Sequence, residues 1–227
     1  RGKMQLNYKE IADKIEQKLD TLFKESRSGI SAREDSRAFG AMIEKKITKK
    51  WESICSELKY EHVKNPGKRT IYDFACRIDN RFFGFDVKTK DLDSKSYSDG
   101  GVCSIGNLLK FLANDHGVFM IVEFGHNKST KQNNTRDIKY IRVAPFHTLP
   151  EDTYRIENLG TGQVRLNNPI EKSWDKLEWN RSYKDFFNIF CKLAIIHYGR
   201  VKTGAKKRIE SIENFINDGY SVFRFIK

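Results

Sequence analysis

The stretch from Ile71 to Lys90, IYDFACRIDNRFFGFDVKTK, decides the fold. Two runs rich in β-branched and aromatic residues, Thr70 to Ile78 and Arg81 to Lys88, flank Asp79-Asn80. Both turn residues tolerate positive φ, which a two-residue type I′ hairpin loop demands. With that pair as the whole loop, Ile78 pairs with Arg81, Cys76 with Phe83, Phe74 with Phe85 and Asp73 with Asp86. The two-residue period then sends Tyr72, Phe74, Cys76, Ile78, Phe83, Phe85 and Val87 to one face, which must be a core face. The other face carries Asp73, Asp86 and Lys88.

Directly opposed residues have Cβ atoms about 4.5–5.5 Å apart, so two carboxylates placed there repel. A divalent cation between them offsets the repulsion, and ligation by oxygen alone favours Mg²⁺ or Mn²⁺. Lys88, two residues beyond Asp86 on the same face, could then touch a phosphate or a metal-bound water. The competing reading is an edge hairpin with a solvated outer face, on which Arg77 and Lys88 balance the acids.

Upstream, Ile11, Ile15, Leu19, Leu22 and Phe23 recur at helical spacing and predict an amphipathic helix from Tyr8 to Lys24. A second helix opens at Ser31-Ala32-Arg33-Glu34, a capping-box pattern. Along it Gly40, Ile47, Trp51, Ile54, Cys55 and Leu58 form a stripe, opposite Lys45, Lys46, Lys49 and Lys50. Glu44 falls within the apolar stripe. A carboxylate there must be paired, protonated or metal-bound, unless it sits at the stripe edge and pairs with a nearby cation.

Downstream, Asp91 to Cys103 is a polar loop, with Lys90, Lys95 and Tyr97 as candidate substrate contacts or ordinary connecting residues. Ser104 caps a short helix that buries Ile105, Leu108, Leu109, Phe111 and Leu112. Val118 to Phe124, VFMIVEF, reads as a central strand covered on both faces, interrupted by Glu123 as a strand-end carboxylate with a local partner. His126 to Asp137 reads as a polar loop carrying Lys128, Lys131 and Arg136, and Ile138 to Val143 as another strand. A small hairpin flanks the turn at Leu159-Gly160-Thr161-Gly162. Tyr183 to Tyr198 is helical and ends at Gly199. The densest basic cluster, RVKTGAKKR from Arg200 to Arg208, then reads as a linker or as the basic start of a further helix.

The 227 residues fit one domain with a sizeable core, containing N-terminal helices over 8–58, the hairpin over 70–90 and a helical part over 181–219. A net charge of +12 makes a polyanion the leading partner, with nucleic acid ahead of a membrane surface. Cys55, Cys76, Cys103 and Cys191 form no CxxC pair, which argues against a zinc knuckle or redox motif. They fit a reducing compartment, so a cytoplasmic protein is expected. No signal peptide or bilayer-length apolar run is read. The opening Arg1-Gly2-Lys3-Met4 reads as a trimmed end.

A helix presenting Glu44, then Asp73, then Asp86-Val87-Lys88 resembles the PD-(D/E)xK nuclease superfamily, and most resembles type II restriction endonucleases. Tyr72 stands where that family usually has Pro. The resemblance implies an α/β fold with a central mixed β-sheet flanked by helices, restriction-endonuclease-like. It implies Mg²⁺ held by Asp73, Asp86 and the Val87 carbonyl, with Mn²⁺ able to substitute, and Glu44 on a second metal or a metal-bound water. Lys88 would orient or deprotonate the attacking water. The implied protein is a microbial homodimer that cuts double-stranded DNA at a specific sequence, leaving 5′-phosphate and 3′-hydroxyl ends. Lys90, Asn107, Lys128, Asn133, Asn134 and Arg136 are side chains of types that read bases. A repair or recombination nuclease of the same superfamily, and a non-catalytic basic DNA-binding protein, are the alternatives.

Overall fold

The computed structural model describes residues 6–24, 30–31, 36–64, 67, 70–94, 101–114, 117–129, 135–157 and 162–222. Its centre is a six-stranded mixed sheet built around the hairpin. Strands β1 (Ile30–Ser31), β2 (Glu61–Val63), β3 (Phe74–Ile78), β4 (Arg81–Asp91), β6 (Val118–Lys128) and β7 (Thr135–Pro145) lie in the order β1-β7-β6-β4-β3-β2. β4 and β6 run parallel, with β5 (Gly101–Ser104) and helix α3 (Ile105–Asn114) in the crossover, and the other pairs are antiparallel. β5 also joins β8 (Tyr154–Glu157) and β9 (Gln163–Leu166) in a small second sheet ordered β5-β9-β8.

The turn has the expected form. Asp79 and Asn80 take φ of 47° and 63°, and the ladder runs Ile78↔Arg81, Cys76↔Phe83 and Phe74↔Phe85. Phe74, Cys76, Ile78, Phe83 and Phe85 enter one buried cluster, where helices α1 (Tyr8–Phe23) and α2 (Ser36–Leu58) cover the sheet. Phe74 and Phe85 stack at 5.2 Å, Trp51 packs on both, and the Trp51 indole N–H donates to the Ala75 carbonyl at 2.7 Å. β6 is the central strand, buried on both faces from Val118 to His126. Its Phe119 and Ile121 point to a second cluster with α3, the small sheet and the start of helix α4 (Tyr183–Val222).

The register fails at Asp73. Its N–H donates to the Phe85 carbonyl at 2.7 Å, although Phe85 is already paired with Phe74. Two residues therefore oppose one, as in a β-bulge, and the alternation upstream reverses. Tyr72 consequently packs in the second cluster against Phe82 and Phe111, not beside Phe74. Gly84 makes room for it: a Cβ there would stand 3.0 Å from the Tyr72 ring.

Other boundaries also shift. α2 begins at Ser36, and Ser31 pairs with Thr135 in β1, so Ser31 is not its cap; Glu34 lies outside the described residues. Where the expected loop at 126–137 is described, 126–128 and 135–137 are strand, with Lys128 on β6 paired to Arg136 on β7. Gly199 does not end a helix, because α4 continues through it for 40 residues in all. Ser104 does cap α3, its hydroxyl accepting the Asn107 N–H at 3.3 Å. Among the described residues, no helix is long and apolar enough to cross a membrane.

Candidate functional site

β3 is paired only as far as Phe85, whereas β4 continues to Asp91 with β6 alone beside it. Among the described residues, the edge of β4 from Asp86 onward thus lacks a strand partner on the hairpin side. Asp73 fills the first place with its side chain, Oδ2 accepting the Val87 N–H at 2.7 Å. A residue's N–H and C=O leave a strand on the same side, so the Val87 carbonyl also faces this notch.

Asp86 and Lys88 project from β4 on the face opposite Phe85. Asp86 is 6% exposed. Lys88 Nζ donates to Asp86 Oδ1 at 3.0 Å and lies 2.8 Å from Oδ2, which has no aligned hydrogen-bond donor. Burial pushes the Asp86 carboxyl up to about 7; Lys88 opposes the shift, while Asp73 and Glu44 add to it. Burial likewise raises Asp73, against the pull of the Val87 N–H and Lys88. Burial works to lower the Lys88 pKa, but Asp86's charge and hydrogen bond overcome it, so the ammonium stays protonated.

Glu44 approaches this group from α2, on the other side of the sheet. It is exposed, not buried in the helix stripe. Phe39, Ile43, Ile47, Trp51 and Cys55 are the buried positions. Their spacing of four advances about 40° per step around a helix of 3.6 residues per turn. The buried stripe therefore winds, and at residue 44 it lies about a quarter-turn from the Glu side chain. Glu44 remains close enough for mutual effect, its pKa raised by burial and by Asp73 and lowered by Lys88. Gly40, one turn earlier, lies over Thr89 of β4, where a Cβ would stand 3.3 Å from the Thr hydroxyl.

The fold thus brings Asp73, Asp86 and Lys88 to one notch, within electrostatic range of Glu44. Burial and then Asp86's charge raise the Cys103 thiol pKa, so this β5 side chain also lies within electrostatic range of the pair. Nothing in the sequence signals that proximity, since it depends on where the second sheet docks. The acids and the Val87 carbonyl offer only oxygen, the chemistry of Mg²⁺ or Mn²⁺, and Asp86 Oδ2 is a buried acceptor that the Lys88 ammonium approaches to 2.8 Å without an aligned hydrogen bond. Among the described residues, however, no three His, Cys, Asp or Glu side chains stand together closely enough to hold a metal ion. Asp73 is turned to Val87 and Asp86 to Lys88.

The expected substrate contacts scatter. Lys90 is buried at 4% exposure. Arg136 is also buried, donating to Asp91 at 2.8 Å and meeting His126 Nδ1 at 3.0 Å. Lys128 and Asn107 are exposed. Lys95, Tyr97, Lys131, Asn133 and Asn134 lie outside the described residues. Glu123 is buried in the middle of β6, accepting from the Tyr140 hydroxyl at 3.0 Å and the Ile170 N–H at 2.9 Å, so it is no strand-end residue. No family model matches the chain, and no curated protein matches it significantly.

Proposed function

We propose that the protein is a Mg²⁺-dependent endonuclease acting on double-stranded DNA, of the PD-(D/E)xK kind, and that Asp73, Asp86, Lys88 and Glu44 carry the reaction. The observation that supports this most is the Asp86–Lys88 pair. A buried acid with a pKa near 7 and further carboxylates close by is a costly arrangement. A divalent cation relieves that cost, because it adds positive charge among carboxylates that otherwise repel. The order of elements supports the reading too: helix with Glu44, acid before a strand, then acid-x-Lys on the next strand.

Asp73, Asp86 and the Val87 carbonyl would hold the ion, with Glu44 on the solvent side; Mn²⁺ would substitute for Mg²⁺. The cation supplies Lewis-acid activation of the scissile phosphate. Lys88 would donate to a phosphate oxygen and stabilise charge that develops during in-line attack. Asp73 holds the edge of β4 through Val87, so ligand position and backbone position are linked. Hydrolysis leaves 5′-phosphate and 3′-hydroxyl ends. Sequence specificity and a homodimer follow from the resemblance to type II restriction enzymes.

The separation of the carboxylates favours one other reading, a basic DNA-binding protein without catalysis. Incubation of supercoiled plasmid with Mg²⁺ decides between them. The expected result is nicked and linear product with discrete sequenced ends, lost in Asp86→Ala and Lys88→Ala. Salt-sensitive binding without any cleavage by the wild-type chain supports the second reading, and undiminished cleavage by either variant removes the site assignment.

A further inference from the structure

At 1.5 Å per residue, the 40 residues of α4 extend about 60 Å, and among those whose burial is described only the first part packs on a core. Phe186, Phe190 and Ala194 are buried in the second cluster and His197 is 7% exposed. Beyond His197 every residue whose burial is described is exposed or half-exposed. The span from Arg200 to Glu210 carries Arg200, Lys202, Lys206, Lys207 and Arg208 against one acid, Glu210. None of these cations forms an ion pair with a described residue, whereas Arg77, Arg136, Arg142, Arg155, Arg165 and Arg181 all hold carboxylates. The basic cluster is thus neither a linker nor a helix start. It is the middle of a rigid rod standing in solvent.

The place where the rod leaves the body matters as much as its charge. Gly162 lies between α4 and the start of α3: a Cβ on it would stand 2.6 Å from Ile105 Cδ1 and 3.1 Å from His197 Nε2. Its carbonyl accepts the Ile105 N–H at 3.2 Å. Ile105 follows Cys103 by two residues, and Cys103 lies within electrostatic range of Asp86 and Lys88. The exposed cations therefore begin one helical turn past a residue that packs beside the junction of β5 and α3, the segment that carries Cys103.

We infer that the exposed half of α4, from Arg200 to Arg208, is an arm that lies along the phosphate backbone of double-stranded nucleic acid engaged at the Asp86–Lys88 notch. The inference rests on the nuclease reading for the identity of the polyanion. Nine helical residues cover about 13 Å, the length of roughly four phosphates along one strand. The exposed Ile195 and Ile209, at 72% and 56%, would suit a second copy of the chain. Pairing two such helices, however, would bring two strongly basic spans within a Debye length of about 8 Å. A phosphate backbone meets the same charge with its complement.

The test is binding of a labelled 30-base-pair duplex by the full chain, with Ca²⁺ in place of Mg²⁺, across a series of KCl concentrations. The full-length variant Lys202→Gln/Lys206→Gln/Lys207→Gln/Arg208→Gln changes only exposed positions, and a matched thermal melt checks its fold. Each lost phosphate contact reduces the slope of log K against log salt by about 0.9, so the expected slope is shallower by about 2 to 4, with at least about tenfold weaker binding at low salt. The charge-retaining Lys202→Arg/Lys206→Arg/Lys207→Arg should keep the wild-type slope. Equal slopes for wild type and the Gln variant overturn the arm, as does a wild-type chain that binds no duplex. So does a dimer on gel filtration that Ile195→Ser/Ile209→Ser dissociates, since a second copy would then cover the helix. A slope difference without cleavage in Mg²⁺ leaves the arm standing and removes the nuclease reading; cleavage with equal slopes does the reverse.

Discussion

β4 carries two acids that each face a cation, five residues apart, and the two pairs are built differently. Asp91 accepts from Arg136 on one oxygen at 2.8 Å and from the Asp93 N–H on the other at 3.1 Å, and Arg136 also meets His126. Burial works to raise the Asp91 pKa, but these donors overcome it and the net shift is downward. Asp86 has one lysine for both oxygens, two acidic neighbours and a carboxyl pushed up to about 7. The first pair is complete within the chain and reads as structure. The second becomes complete only when positive charge is added, which is what a binding site requires and a folding core does not.

Replacing each acid by its amide separates the two most sharply in catalysis. Asp86→Asn should lose at least about 10²–10³-fold of plasmid cleavage, the cost of removing one preorganised electrostatic group. Asp91→Asn should stay within a few-fold of wild type per folded molecule. Equal losses in the two variants would break the contrast.

Stability should separate the two by a smaller amount. Asp91→Asn leaves the largely buried Arg136 without its charged partner and should cost about 1–3 kcal/mol. Asp86→Asn should cost less at pH 8, because losing the charged partner of the buried Lys88 is offset by removing a carboxylate whose charged form burial disfavours. The pH dependence follows from linkage. The native state holds the Asp86 proton more tightly than the unfolded chain, so its contribution is present below about pH 4 and is lost as pH rises towards about 7. Asp91, with its pKa lowered, contributes above the ordinary carboxylate range and loses that contribution as pH falls through its folded value. Urea midpoints at pH 4.5 and 8 report the Asp86 change, and midpoints at pH 4.5 and 3 report the Asp91 change. A wild-type gain with Mg²⁺ at pH 8 that is absent in Asp86→Asn would tie the stored cost to the ion.

Which parts of this the sequence could reveal depends on the range of the interactions involved. The hairpin turn was readable because Asp79-Asn80 is a local signal, and turn length fixes register over the residues nearest it. The central strand was readable because VFMIVEF is apolar on both faces. The bulge at Asp73 was not, since what permits it is Gly84 leaving space for the Tyr72 ring across the strand. The Asp91–Arg136 pair spans 45 residues and lies in segments whose polarity suggested loops. Glu44 stands out by its order in the chain, and averaging a stripe that winds puts it wrongly on the buried face. Gly199 misled because a helix-ending glycine takes positive φ, and only tertiary context sets φ; Gly199 is not among the positive-φ residues.

The smallest effect tests the step on which the placement of Asp86 depends. Asn80, exposed at φ 63°, is an L-residue in a conformation that glycine reaches at no steric cost. Type I′ loops favour Asn-Gly or Asp-Gly, so Asn80→Gly creates the preferred Asp-Gly pair at the position where it is wanted. Relief of the left-handed strain is partly offset by the greater freedom glycine gives the unfolded chain. A net gain of about 0.5 kcal/mol is therefore expected, seen as a small upward shift in urea midpoint with cleavage unchanged. A loss of stability would mean that the turn is not held in this form. The ladder from Ile78↔Arg81 to Phe74↔Phe85 would then have another register, and because a one-residue slip exchanges faces, Asp86 and Lys88 would trade places with Phe85 and Val87.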